Sequence, residues 1–475
     1  MKFARDSRWV SLIILCVGML MIVLDGTVVN VALPSIQTDL GFSAATLAWV
    51  INAYLIAFGG LLLLAGRLGD LIGTKRIFLV GIFMFTLASL LCGVAFNQAM
   101  LIGARFLQGI GGAMASSVIL AMIVSMFAAP QERARAMSIF SFTASAGGSV
   151  GLLLGGTMTQ ALNWHWVFLI NIPIGIATFY TAHRYLKSTP GIGLREGADV
   201  VGAFLVTAAL MTGVYAVVEI PTAGISSART MAFGAVGIAL FIAFLVRQAR
   251  TEKPLMQLSI FKSRNISGSN ALQALIVAGM YGSFFLEALF LRRLLGYSAV
   301  ATGLAFLPVT LTIGAFSLGW SVQLATRFGA RQILIAGSAL ASVGLGIFAL
   351  TPPGASYLTA IFPAMLLLGF GMGISFPPLM LFAMSDADAN NSGVVSGLLN
   401  TTAQIGGAFG LAILATAAAA RTQAMLADGS TNALALTGGY QVSFAIAAGC
   451  LVAATIIAAT VLTPIDLTQP QHETH

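Results

Sequence analysis

Two ionisable side chains sit where water should be scarce: Asp25 inside the apolar run 10–30 and Arg105 inside the run 99–121. A carboxylate in such surroundings costs several kcal/mol unless it is paired or protonated. At ~1.5 Å per helical residue, Asp25 falls ~8 Å and Arg105 ~9 Å from the same edge of a ~30 Å apolar layer. Opposite charges at one depth invite pairing. Desolvation raises a carboxyl pKa and a nearby guanidinium lowers it, so a movement that alters their contact changes proton affinity. The alternative is a permanent ion pair that only fixes packing. Asp25, Asn30, Gln108 and Glu287 are the polar groups that the spans offer to a shared cavity. Glu287 lies near one end of its run, just before Arg292 and Arg293, and Glu219 ends another at Pro221, so both read as interfacial.

Between the second and third runs the chain reads Gly66-Arg67-Leu68-Gly69-Asp70-Leu71-Ile72-Gly73-Thr74-Lys75-Arg76. Glycine permits a tight turn there. An acid just past a helix end can meet a base or a helix N-terminus elsewhere and latch one conformation. Asp70, Lys75 and Arg76, with Gly66 and Gly73, are the candidate gate. A second glycine group, Gly147, Gly148, Gly151, Gly155 and Gly156, lines the run 138–159. It reads either as a face that lets a neighbouring helix approach closely or as a segment able to bend.

Other chemistries find no support. There is no phosphate-binding loop, since Gly69 to Lys75 has the wrong spacing, and Gly109-x-Gly111-Gly112 lies within an apolar run with no strand before it. The histidines have no metal-ligand spacing within a run, and no nucleophile, base and orienter come together. Cys16, Cys92 and Cys450 are scattered through apolar runs and read as buried, inert thiols. No cofactor is expected.

The elements that hold these residues follow from composition. Of 475 residues 58% are hydrophobic and 8% charged, with mean hydropathy +0.96; a water-soluble domain carries roughly 25% charged residues. The expectation is an all-α membrane protein with 14 transmembrane helices, near 10–30, 46–66, 77–96, 99–121, 138–159, 165–186, 199–219, 229–246, 268–291, 299–321, 332–350, 356–379, 396–418 and 438–462. Of the 23 basic residues, only Arg229, Arg292, Arg293 and Arg421 fall on one side of this layout and Arg105 within it; the rest gather on the other side. Positive side chains are retained in the cytoplasm, so both termini are expected there. The net charge of +8 therefore orients the chain in a lipid bilayer and does not form a nucleic-acid stripe.

Leu68, Gly73 and Lys75 recur as Leu324, Gly329 and Arg331, and Gly147, Gly148 and Gly151 as Gly406, Gly407 and Gly410. Duplicated bundles with a site at their interface form a transporter architecture. The implied division is a six-helix bundle over 1–190, an inserted two-helix hairpin with its linker over 191–262, and a second six-helix bundle over 263–475.

At this point the chain resembles the 14-span drug:proton antiporter branch of the major facilitator superfamily over nearly its whole length. Leu24 to Pro34 resembles the family's first-span motif, Gly66 to Arg76 its loop motif, and Arg105-Phe106-Leu107-Gln108-Gly109 its fourth-span motif. Gly151 to Gly156 and Trp164 to Gly175 resemble the fifth-span antiporter motif and its continuation. Leu71 replaces the base that commonly follows the loop aspartate, Leu152 stands where many members have proline, and Thr326 replaces the aspartate in the second loop copy. The resemblance implies an inner-membrane, proton-coupled multidrug efflux transporter, acting as a monomer on small amphipathic compounds, with Asp25 and Arg105 coupling protons. The alternatives are a dedicated metabolite or antibiotic exporter or importer of the same superfamily, and a non-transporting membrane receptor or scaffold.

Overall fold

The computed structural model describes residues 2–127, 130–188, 190–191, 193, 197–385 and 392–463, and among these every regular element is a helix. In the first part are α1 (Lys2–Leu40), α2 (Ala44–Leu47), α3 (Trp49–Ile72), α4 (Thr74–Gly93), α5 (Gln98–Met126), α6 (Pro130–Ala161), α7 (Trp166–Leu169) and α8 (Asn171–Tyr185). A hairpin follows, α9 (Val200–Ala223) and α10 (Ala228–Arg250). The last part holds α11 (Arg264–Arg293), α12 (Ala299–Ala305), α13 (Leu307–Ala315), α14 (Ser321–Phe328), α15 (Ala330–Ala349), α16 (Phe362–Met384), α17 (Ser392–Ala427) and α18 (Asn432–Thr460).

Local chemistry sets many of the ends. The Asn97 side chain accepts from the Met100 amide at 2.8 Å and opens α5; Ser227, Ser263, Ser298 and Thr431 cap their helices in the same way. Gly73 and Gly329 close α3 and α14 at φ of 103° and 90°, where a side chain would be strained.

Twelve of the described helices are long and apolar enough to cross a membrane. The expected span 299–321 is not one α-helix: α12, α13 and a π-helical turn at Phe316–Trp320 make it up, and α14 follows. The first expected span is also longer than its apolar run. Helix α1 continues through Pro34 to Leu40, because Leu33 and Ile36 are fully buried there and Thr38 bonds back to the Pro34 carbonyl at 3.0 Å. Asp25 thus lies near the middle of α1, not close to its end.

The duplication read from glycines is a duplication of packing. Helix α1 packs on α6 and α8, α3 and α4 on α5, and α4 on α8; correspondingly α11 packs on α17 and α18, α13 and α15 on α16, and α15 on α18. A Cβ at Gly155 would lie 2.6 Å from the Val28 carbonyl of α1, and one at Gly406 would lie 2.5 Å from the Ala274 carbonyl of α11. Gly81 crosses Gly111 as Gly337 crosses Gly371. Backbones come this close only where side chains are missing.

Helix α9 lies along α3 and α17, with Gly60 against Thr207 and Gly213 against Phe409, and α10 packs outside it. Ile238, Phe241 and Ile242 of α10 are exposed, as suits a lipid-facing surface. The two parts of the chain meet along α3 and α17, and again at the end away from the α3–α4 loop. There Gly156 abuts Ala299, the Val300 amide donates to Gln160 Oε1 at 3.2 Å, and Arg293 donates to Gln37.

Candidate functional site

Asp25 and Arg105 are brought together by the crossing of α1 and α5. Arg105 Nη1 donates to Asp25 Oδ2 at 2.5 Å, and both side chains are buried, at 1% and 0% exposure. Asp25 Oδ1 accepts from Gln108 Nε2 at 2.7 Å and from Asn171 Nδ2 at 2.9 Å. Gln108 lies one helical turn beyond Arg105, so its Oε1 also takes an Arg105 hydrogen at 2.6 Å. Arg105 Nε donates to the Val50 carbonyl at 2.9 Å, and the guanidinium lies 4.5 Å from the Tyr54 ring centre and 5.7 Å from that of Phe168. Ser89 Oγ accepts from Gln108 at 2.6 Å and from Asn171 at 3.1 Å, tying α4 and α8 into the cluster.

Every neighbour bonded to Asp25 is a donor, which is the environment of a carboxylate and not of a carboxylic acid. Protonating Asp25 would place an O–H against N–H groups and remove the charge that holds Arg105. Of the acceptors nearby, Gln108 Oε1 is occupied by Arg105, whereas Asn171 Oδ1 is buried and accepts nothing. A change of proton occupancy therefore requires rearrangement between α1, α5 and α8.

The other expected site residues are dispersed. Asn30 is half-buried and donates to the Gly26 carbonyl of its own helix at 3.2 Å, apart from the ion pair. Gln108 belongs to the buried cluster and lines no open cavity. Glu287 lies near the end of α11, as expected, but is not solvated there: it is fully buried, and neither carboxyl oxygen has a hydrogen-bond partner among the described residues. Its neighbours one turn either side, Phe284 and Phe290, pack on Phe306 and Tyr440. Glu219 pairs with exposed Arg229 at 3.4 Å, as an interfacial acid would.

In the α3–α4 loop, Asp70 is exposed and makes no hydrogen bond or ion pair among the described residues, so none of these supplies the expected latch contact. Its basic neighbours are turned toward carbonyls. Lys75 Nζ donates to His183 O at 2.8 Å and Leu186 O at 2.6 Å, neutralising the carbonyl end of α8. Arg331 does the same for α18 through the Ala458 and Ala459 carbonyls. Gly66 is loosely packed and Arg76 is exposed. Arg67 Nε donates to the Gly197 carbonyl at 3.3 Å and the Gly193 amide to the Leu71 carbonyl at 3.0 Å, so the loop is strapped to the segment entering α9. There Asp199 caps α9, accepting from the Gly202 amide at 2.9 Å, Arg247 Nε at 2.5 Å and Gln248 Nε2 at 2.7 Å. Burial alone would raise this carboxyl, but the bonds from Arg247, Gly202 and Gln248 outweigh it and hold Asp199 below the usual aspartate range.

Of the glycines on α6, Gly147, Gly151 and Gly155 face α1 and Gly156 faces Ala299, whereas Gly148 faces open space and takes no part in packing. Cys16 and Cys92 are buried and Cys450 is half-buried. The sequence reading missed Ser89 and Tyr54, and it covered Phe168 and Asn171 only within the stretch Trp164 to Gly175, without giving either a role. The available signal was a neutral polar residue within an apolar run at the depth of Asp25.

A family model described as Major Facilitator Superfamily matches residues 15–411. The chain is 35% identical to the puromycin resistance protein of Streptomyces alboniger, over 95% of this chain and 90% of that one. It is 36% identical to the cephamycin export protein of Amycolatopsis lactamdurans, over 88% and 86%. Among solved structures, an auto-inhibited POT family peptide transporter superposes with a TM-score of 0.69 at 17% identity, covering 98% of this chain and 99% of that one.

Proposed function

The chain belongs to the Major Facilitator Superfamily, and we propose that it is a proton-coupled exporter of small amphipathic compounds that works by alternating access. It is a multi-pass membrane transporter, not an enzyme. In our reading α6 and the segmented run α12–α14 also cross the bilayer, giving fourteen spans: two six-helix bundles over 1–190 and 263–475 and the pair within 191–262. The chain acts as a monomer in the inner membrane with both termini cytoplasmic, as its basic loops favour.

The observation that carries the proposal is the Asp25–Arg105 pair, buried between two helices of one bundle and surrounded by donors. Deprotonated, Asp25 holds α1 to α5 through Arg105. A proton arriving from outside neutralises it and frees the guanidinium, and the rocking of the bundles gives that proton a route to the cytoplasm while substrate leaves the other way. In the conformation described, the bundles meet at the outer end through Gly156–Ala299 and Gln37–Arg293, which suits a state closed to the outside. Hydrophobic contacts discriminate weakly between similar molecules, which favours broad selectivity.

The test is accumulation of a panel of dyes and antibiotics in cells with and without the protein. We expect lower accumulation with the protein and loss of the difference with a protonophore. Export that survives collapse of the proton gradient would overturn the coupling. A second reading, a dedicated exporter of one antibiotic, is favoured by relatives named for a single compound; competition across the panel separates it, since a dedicated exporter responds to one chemical series.

A further inference from the structure

Glu287 is the one carboxyl among the described residues that is completely buried with both oxygens unpartnered. Ionised, it would be untenable: burying a bare carboxylate costs far more than the few kcal/mol of an unpaired neutral polar group. Among the described residues no ion pair reaches it. Around α11 pack α1, α12, α16, α17, α18 and the turn Leu258–Lys262. Helices α12 and α16 carry no titratable side chain. Helix α17 offers Arg421, which is exposed, and α18 offers Tyr440, edge-on to Phe290, and half-buried Cys450 nearly three turns further along. Helix α1 offers Asp25, bound to Arg105, and Asp39, bonded to Trp164, with Asp6, Arg5, Arg8 and Lys2 at its far end. On α11 itself, Tyr281 is nearly two turns away, Arg292 projects about 140° round the helix, Arg293 is engaged by Gln37, and Arg264, like Lys262 in the turn, lies at the other end.

The position of Glu287 gives the burial a consequence. It lies less than two turns before Arg293 and twelve residues before Ala299, and these are the two points where α11 and α12 touch α1 and α6 to close this end. Separating that seam moves α11 and α12 away from α1 and α6 and brings water toward Glu287. We propose that Glu287 is a second proton-binding site, distinct from the Asp25–Arg105 pair, and that the outer end closes only when this carboxyl has taken a proton from water on that face. In the open state the carboxylate is hydrated. On closing, hydronium gives its proton to the carboxylate, leaving a neutral carboxyl and water; on reopening the proton returns to water on the same side. The site therefore gates closure and adds nothing to the net proton count.

This inference rests on alternating access as proposed above, and the experiment separates the two. Spin labels on cysteines placed at the exposed Phe96 and Leu350, at the outer ends of α4 and α15, in the full-length chain with its native cysteines replaced and reconstituted in nanodiscs, report the outer-end distance from pH 5 to 9. We expect the open fraction to grow with pH in the parent, and Glu287→Gln, a permanent mimic of the neutral form, to remove the component of that growth which survives in Asp25→Asn. Glu287→Leu, neutral and apolar, should behave like Glu287→Gln, while the proton-to-substrate ratio in proteoliposomes stays unchanged in both. An unaltered pH response in Glu287→Gln, or a halved ratio, overturns the proposal. Failure of the transport reading shows separately, as Asp25→Asn retaining gradient-driven export while the Glu287-dependent opening persists.

Discussion

Replacing Asp25 by Asn is nearly isosteric and tests the coupling at its centre. The carboxylate now accepts from Arg105, Gln108 and Asn171; an amide offers one acceptor oxygen, turns a second donor toward donors, and leaves the Arg105 guanidinium buried without a counter-charge. Breaking a buried pair in this way costs about 3–5 kcal/mol, two to four powers of ten in an equilibrium constant at about 1.4 kcal/mol per tenfold. Removing both charges, with Arg105→Gln added, should recover about 2 kcal/mol or more of that loss, since no ion is then stranded. The cycle is measured as reversible unfolding in bicelles, alongside uptake into inverted proteoliposomes under an imposed pH gradient. We expect Asp25→Asn to abolish gradient-driven uptake, and the double variant to regain stability without regaining uptake. If Asp25→Asn transports at the parental rate, the carboxyl does not carry the proton; if the double variant is no more stable than the additive singles predict, the two charges are not energetically coupled.

Three further outcomes follow from the same geometry. Gly155→Val and Gly410→Val should each lower the melting midpoint in detergent, because the new side chains meet backbone of α1 and α11, at about 1–3 kcal/mol for overpacking, while Gly148→Ala, facing open space, should leave it unchanged. Since Asp199 is held below its ordinary range, its contribution to anchoring α9 is present above pH ~4 and is lost as pH falls through its depressed folded value; acidification should lower the amide protection factors at the start of α9 in the parent but not in Asp199→Asn, which is already loosened at neutral pH. The triple variant Asp25→Ala, Arg105→Met, Gln108→Leu should fold with a melting midpoint near the parent's yet show no response to a pH gradient.

Much of this arrangement was legible in residue types and spacing, for definite physical reasons. A charge in an apolar run carries a large solvation cost, so Asp25 and Arg105 announce themselves, and helical rise alone sets them at one depth. Asn171 and Ser89 are nearly silent, because a neutral amide or hydroxyl in a span costs little and has many local partners. Glu287 was misread in its surroundings and not in its place along the helix: hydropathy marks where a span runs, not which side chains cover a given residue, and Phe284 and Phe290, one turn either side of it, pack on Phe306 and Tyr440 of other segments. The break-up of 299–328 leaves no mark on hydropathy, since π and α turns can share one apolar composition. Asp70 shows what a loop sequence leaves open without a conformation, because Lys75 is committed to the carbonyl end of α8 and Arg67 to the Gly197 carbonyl.

The duplicated packing supplies an internal control for what the buried charges do. Gly109 approaches the Tyr54 carbonyl as Gly369 approaches that of Val309, so α5 and α16 are in register with an offset that sets Arg105 against Met365 and Gln108 against Leu368, both fully buried. On the partner helix, Gly151 reaches Leu24 of α1 as Gly410 reaches Ala278 of α11, which sets Asp25 against Gly279. Gly279 lies close to the Ala447 carbonyl of α18, the helix that corresponds to α8 and Asn171. The same scaffold is therefore built twice, once around a carboxylate, a guanidinium and an amide, and once around glycine, methionine and leucine. Packing does not require the ions, because the second copy holds together without them, and a buried ion pair is at best neutral for stability against apolar groups of similar volume. In the mechanism proposed above, what the polar copy adds is a contact whose strength changes with one proton. A rocking molecule with that contact in only one of its halves would then have a reason to move when the proton comes and to move back when it leaves.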